Sequence, residues 1–183
     1  ACGTTVPPFL IASVATKCNL HCVGCYARAN HACTDETSKD EMPSERWGQL
    51  FREARDLGVS FIILAGGEPL TRPDVLDAAT ETPEIIYPVF TNGTLFSTDM
   101  LNLFDRCRSL IPVLSIEGGR LKTDSRRGKG VFNAVKKAME DMDSRGIFYG
   151  VSVTVTKYNL SAVTDYAFIS SLKAIGCRLV FFV

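Results

Sequence analysis

The chain has 183 residues, 46% hydrophobic and 22% charged, a length and balance that suit one domain with a real core. Lys plus Arg total 20 and Asp plus Glu total 20, which argues against a nucleic-acid partner held on a basic face and against a grip on anionic lipid. Apolar runs such as Phe61 to Ala65 fall far short of the roughly 18 residues a membrane-crossing helix needs, and no charged-then-apolar leader opens the chain, so a cytoplasmic protein with no membrane partner is expected.

Strand-like and helix-like segments alternate from the start. Phe9 to Ala15 is a short apolar run and predicts the first strand. A long polar loop follows to about Pro43 and carries a cluster of cysteines. Ser44 is the expected N-cap of a helix in which Trp47, Leu50, Phe51, Ala54 and Leu57 recur at helical spacing and which Gly58 closes. Phe61 to Ala65 reads as the second strand, ending in Gly66-Gly67-Glu68-Pro69, with a short helix from Pro73 to about Thr80. Ile85 to Thr91 reads as the third strand, followed by Asn92-Gly93 and a helix from Thr98 to Cys107. Ile111 to Ile116 is the fourth strand, ending at Glu117-Gly118-Gly119, and the stretch holding Arg126 and Arg127 reads as a loop. Val131, Val135, Ala138, Met139 and Met142 form one stripe of the next helix, which stops at Gly146. Phe148 to Thr156 predicts the fifth strand, Ser161 the cap of a fifth helix that Gly176 ends, and Arg178 to Val183 the sixth strand.

Six β units with five helices between them imply a parallel sheet with right-handed crossovers, either barrel-like or doubly wound. Glycine and polar residues gather after the first four strands, at the edge that carries the site in parallel β/α folds. In the fifth strand Tyr149, Val151, Val153 and Val155 share one face, and Gly150, Ser152 and Thr154 the other. A parallel strand packed on both sides would be apolar throughout. The small polar face therefore predicts a sheet curved around a cavity that admits a ligand. Because the last strand runs to Val183 with no closing element, the chain is expected to be part of a longer protein.

Seven cysteines is many for this length, and three of them, Cys18, Cys22 and Cys25, stand within eight residues in the spacing CxxxCxxC. A secreted disulfide framework would spread its cysteines more evenly, so the cluster reads as metal binding. Three thiolates on one loop can ligate three irons of a cubane cluster and leave the fourth iron open to a ligand. The alternative is structural zinc, with His21, His31 or Cys33 as a fourth ligand, although zinc sites usually come as paired CxxC units. Cys2, Cys107 and Cys177 read as small buried apolar residues.

CxxxCxxC after a first strand, GGEP after the second, Asn92 after the third and Ser115-Ile116-Glu117-Gly118 after the fourth together resemble the radical S-adenosylmethionine (SAM) superfamily. The resemblance covers about residues 9 to 183 and is nearest to members that modify peptides or build tetrapyrrole and quinone cofactors. It implies a partial (β/α)6 TIM-like barrel, open on one side, with a 4Fe–4S cluster held by Cys18, Cys22 and Cys25 at its C-terminal rim. It also implies reductive cleavage of SAM to a 5′-deoxyadenosyl radical that abstracts hydrogen from a substrate, a small molecule or a peptide. A low-potential electron donor such as ferredoxin or flavodoxin would be the partner.

By the same resemblance, Gly66, Gly67 and Glu68 would bind the methionine amino group, with glycine leaving the backbone bare for close approach. Ser115 would contact the SAM ribose or carboxylate, and Glu117 stands where members often have Asp. Arg127 would reach the SAM carboxylate and Asn92 would edge the site; Ser152 and Thr154, on the small polar face of the fifth strand, would line the lumen. Members often place an aromatic just before the third cysteine, where this chain has Gly24; Tyr26, directly after Cys25, is carried as a cofactor-binding candidate.

Overall fold

A computed structural model describes residues 6–183; Cys2 lies outside the described residues. Six strands, β1 (Phe9–Ala15), β2 (Phe61–Gly66), β3 (Tyr87–Thr91), β4 (Leu110–Ile116), β5 (Gly150–Val153) and β6 (Leu179–Phe182), form one sheet in that order. Every neighbouring pair is parallel. This order decides between the two sheet types that alternation left open. A doubly wound sheet reverses its strand order at a switch point. A chain that always steps to the next neighbour by right-handed crossovers keeps its helices on one face and curls.

The curl can be measured. β3 and β6 are three strands apart, about 14 Å on a flat sheet. Yet the rings of Phe90 and Phe181 lie 5.4 Å apart, centroid to centroid. They carry the opposite parity to Val89 and Val180, which face the helix-side core. The sheet is therefore a half-closed barrel with an aromatic contact across its lumen.

The outer face is covered by α2 (Ser44–Asp56), α3 (Pro73–Ala79), α4 (Thr98–Arg106), α6 (Val131–Ser144) and α8 (Tyr166–Ala174), with α1 (Tyr26–Ala29), α5 (Arg120–Arg127) and α7 (Leu160–Val163) at the rim. The five-residue stripe expected for α6 is buried in full. Phe51 of α2 meets Tyr87 of β3 edge-on at 5.2 Å. Such a pair contributes about 0.5–1.5 kcal/mol beyond its area burial.

Several expectations are corrected. Pro43, not Ser44, holds the N-cap of α2, and no side chain caps that end. Ser161 lies inside α7, and the cap of α8 is Asp165, whose carboxylate accepts the Ala167 N–H at 2.6 Å. The segment with Arg126 and Arg127 is helix α5, not loop. The fifth strand is shorter than expected, and the smallness of Gly150 is used within the sheet. A Cβ there would meet the Leu179 carbonyl at 2.9 Å and its side chain at 3.0 Å.

Candidate active site

Polar residues collect where the strands end. β1 ends in the cysteine loop, and Cys18, Cys22 and Cys25 are half-buried free thiols. The loop closes on itself at its base: Cys18 N–H donates to Thr34 O at 3.0 Å, and Thr34 N–H to Thr16 O at 2.8 Å. Arg28 spans its interior, donating to Leu20 O at 3.0 Å and Cys18 O at 3.1 Å while pairing with Asp35 at 2.8 Å. Gly24 takes a φ of +67°, and a Cβ there would meet nothing, so glycine serves the turn between Cys22 and Cys25 rather than a close approach.

A second anchor, not foreseen from the sequence, fixes the far end of the loop. Glu41 accepts from the Thr16 N–H at 2.7 Å and from the Thr16 hydroxyl, and pairs with Arg72 at 2.9 Å. Arg72 also donates to Val14 O at 3.2 Å, to Met42 O at 3.1 Å and to Asp74. Burial alone would raise the Glu41 carboxyl; the Thr16 donors and the Arg72 guanidinium outweigh it and hold it below the ordinary carboxylate range.

β2 ends in Gly66-Gly67-Glu68. The space freed by the missing side chains is taken by the chain itself. A Cβ on Gly66 would strike the Ala15 carbonyl oxygen, and one on Gly67 the Lys17 carbonyl oxygen. Gly67 N–H donates to Ala15 O at 2.6 Å and Glu68 N–H to Lys17 O at 2.8 Å, locking the start of the cysteine loop onto the end of β2. Only 1% exposed, Glu68 turns its carboxylate inward, accepting from Leu70 N–H at 3.0 Å, the Thr91 hydroxyl at 2.6 Å and Asn92 N–H at 2.7 Å. Burial pushes its carboxyl up, against the pull of those donors.

At the end of β3, Asn92 is buried and reaches the loop. Its amide donates to Asn19 Oδ1 at 2.8 Å and lies 3.9 Å from Cys18 Sγ, while its own Oδ1 accepts from Thr94. At the end of β4, Ser115 is half-buried and pairs in register with Ser152 of β5, which is buried. Glu117 is 3% exposed and takes both Arg126 (2.8 Å) and Arg127 (2.6 Å). Asn159, also unforeseen, donates to the Glu117 carbonyl oxygen at 3.2 Å. A cavity of about 590 Å³ opens here, lined by Val23, Gly24, Glu117, Arg126, Thr154 and Tyr158. Its volume falls within the range of small-molecule sites. Thr154, past the end of the fifth strand, lines this cavity, but of the residues expected to bind SAM only Glu117 does; Ser152 does not.

Tyr26 opens α1 and is 80% exposed. His21 is an exposed loop residue 2.9 Å from Asp35, and His31, also exposed, sits at a φ of +55°. Cys33, Cys107 and Cys177 are buried. Burial and the adjacent Cys18 push the Cys33 thiol up to about 11, so it keeps its proton at neutral pH. Burial also raises Cys22, with Arg127 pulling the other way.

Three cysteine thiols on one loop are the soft donor set that a cubane cluster takes. Among the described residues no three His, Cys, Asp or Glu side chains converge closely enough to hold one metal ion. A zinc site requires that convergence; a cubane gives each thiolate its own iron.

Comparison with known proteins places the chain among related sequences and folds. A family model described as the Radical SAM superfamily matches residues 13–167. An Fe-coproporphyrin III synthase of Methanosarcina barkeri is 30% identical over 156 residues, 84% of this chain and 38% of that protein. The mycofactocin maturase MftC of Mycobacterium tuberculosis is 25% identical over 97% of this chain and 45% of its own. Among solved structures, Streptococcus suis SuiB bound to the precursor peptide SuiA superposes with a TM-score of 0.75 at 22% identity, covering 92% of this chain and 36% of SuiB. The chain thus spans less than half the length of each of these relatives.

Proposed function

The chain belongs to the radical SAM superfamily, whose enzymes use a 4Fe–4S cluster and SAM, and from that premise we propose that Cys18, Cys22 and Cys25 hold the cluster and that the cavity beside them takes SAM. One observation carries the reading. The three thiols sit on a loop tied to the ends of β1, β2, β3 and α5, and Val23 and Gly24 of that loop, between the second and third cysteines, line a cavity of about 590 Å³. When bound, the cluster and SAM supply the reductive cleavage that yields a 5′-deoxyadenosyl radical for hydrogen abstraction.

The chain's own groups have definable tasks. An ammonium needs acceptors. The N–H groups of Gly67 and Glu68 already donate to Ala15 and Lys17, and the Glu68 carboxylate already accepts three bonds. The carbonyls of Gly66 and Gly67 are therefore what this segment offers the methionine amino group, with Glu68 setting their position and contributing charge from behind. Ser115 and Ser152 offer hydroxyls side by side for the ribose or carboxylate. Arg127 supplies the cation for the SAM carboxylate, and Glu117 holds that cation in place until the ligand arrives. Asn92 holds Cys18 and the site edge, and Tyr26 provides an aromatic face beside Cys25.

A substrate in the class of small molecules or peptides is supported by the relatives, one an Fe-coproporphyrin III synthase and one bound to a precursor peptide. A ferredoxin- or flavodoxin-like donor would supply the electron. The test is anaerobic reconstitution with iron and sulfide, then reduction with SAM present. The reading expects about four irons per chain, with 5′-deoxyadenosine and methionine as products. Both are lost in the Cys18→Ala, Cys22→Ala, Cys25→Ala triple variant. Iron retained by that variant, or a loaded wild type that leaves SAM intact, would contradict it.

A further inference from the structure

Val23 lies between the second and third cysteines and is 70% exposed, so packing does not hold it. What holds it is Arg126, from more than a hundred residues away in sequence. Val23 N–H donates to Arg126 O at 2.8 Å, and Val23 O accepts from Arg126 Nε at 3.1 Å. The two residues thus grip each other at both backbone groups of Val23. Between His21 and Cys25 no other described residue is hydrogen-bonded to a group outside the loop; His21 reaches only Asp35, and Cys25 N–H only Cys22 O at 3.2 Å.

The other end of the guanidinium is equally fixed. Arg126 Nη1 donates at 2.8 Å to Glu117, which is buried and also held by Arg127. Glu117 N–H in turn donates to the Thr123 hydroxyl of α5 at 3.1 Å. A continuous set of bonds therefore runs from the end of β4, through Glu117 and Arg126, to the peptide between Cys22 and Cys25. Arg126 also lines the cavity, with Val23 and Gly24.

We propose that Arg126 is a positioning residue: its guanidinium fixes the Cys22–Cys25 segment against the end of β4 and so sets the distance between the cluster ligands and the occupant of the cavity. The inference rests on the proposed role of the cysteines and goes beyond it, since it gives Arg126 a task exerted through its bonds to Val23 and Glu117. Losing the guanidinium should free the Val23 carbonyl and leave only the backbone bond to Arg126 O. Glu117 would keep its pairing with Arg127, so the fold should survive.

The test compares wild type with Arg126→Met and Arg126→Lys, each reconstituted anaerobically. Three readouts are taken: hydrogen exchange at the amides of residues 21–25, the rate of iron loss to a chelator, and the change in the reduced EPR signal on adding SAM. For Arg126→Met we expect thermal unfolding close to wild type, exchange and iron loss each faster by about tenfold (the weight of one charge-assisted hydrogen bond), and a weaker SAM-induced change. Arg126→Lys, keeping one donor, should fall between. Equal exchange and equal iron retention in all three proteins would overturn the inference while leaving the role of the cysteines standing. A wild type that loads no iron would remove that role and the inference with it. Should Arg126→Met fail to fold, Arg126→Lys alone decides, since a purely structural loss would not move the SAM-induced change in a folded protein.

Discussion

Removing the Glu68 carboxylate should destabilise the whole domain, because three donors converge on it where water does not reach. In Glu68→Ala the N–H groups of Leu70 and Asn92 lose their acceptor, while the Thr91 hydroxyl can rotate elsewhere. Two unsatisfied buried donors cost about 1–3 kcal/mol each. Two effects offset this: the desolvated charge is gone, and water can enter the vacated space and bridge the donors. The expected net loss is about 2–4 kcal/mol, a large share of the ~5–15 kcal/mol that holds a domain together. Glu68→Gln keeps the shape but turns one acceptor into an NH2 that faces donors, and should lose about 1–2 kcal/mol. Urea unfolding at neutral pH, followed by circular dichroism, measures both; two variants within about 0.5 kcal/mol of wild type would refute this account of Glu68.

Gly67→Ala should lose about 1–3 kcal/mol, since its Cβ strikes backbone that cannot yield, whereas Gly119→Ala, with nothing near its Cβ, should be neutral within about 0.5 kcal/mol; thermal unfolding of the pair checks both. Glu41 and Asp74 are held below the ordinary carboxylate range, Asp74 first by its bond to Arg72 and Glu41 by Thr16 and Arg72 against burial. A lowered folded pKa adds stability above the unfolded pKa and loses it as pH falls through the folded one. The urea midpoint should therefore drop as pH falls from about 5 through the ordinary carboxylate range and below it. The gap between wild type and Glu41→Gln should shrink over the same window; a constant gap would count against the clamp. Asn92→Asp should lower the midpoint potential of the reconstituted cluster, because it replaces the N–H facing Cys18 Sγ with negative charge. An EPR-monitored redox titration reads this, and an unchanged potential would remove Asn92 from that role.

The sequence made some features legible because their signals are local. Apolar runs marked the strands, the α6 stripe is buried in full, and CxxxCxxC with GGEP pointed to the family that the comparison establishes. Helix α5 escaped because periodicity needs apolar positions to register. Its Leu121 is 85% exposed, and Thr123 is its one buried residue. Ser161 and Asp165 are both good caps, and only the fold chooses Asp165. Glycine at 66 and 67 signals a close approach without naming what approaches, which proved to be the chain's own backbone. Glu41 sits among Asp35, Glu36 and Asp40 in a polar loop, and nothing local singles it out as the partner of Arg72. The grip of Arg126 on Val23 spans the sheet and has no sequence signature.

The most direct test of the central claim is the EPR spectrum of the anaerobically reconstituted, reduced protein, recorded with and without SAM. A 4Fe–4S signal whose g-values shift when SAM is added would place SAM on the open iron held beside Cys18, Cys22 and Cys25, as proposed. A cluster signal indifferent to SAM, or a protein that takes up zinc and no iron, would contradict it.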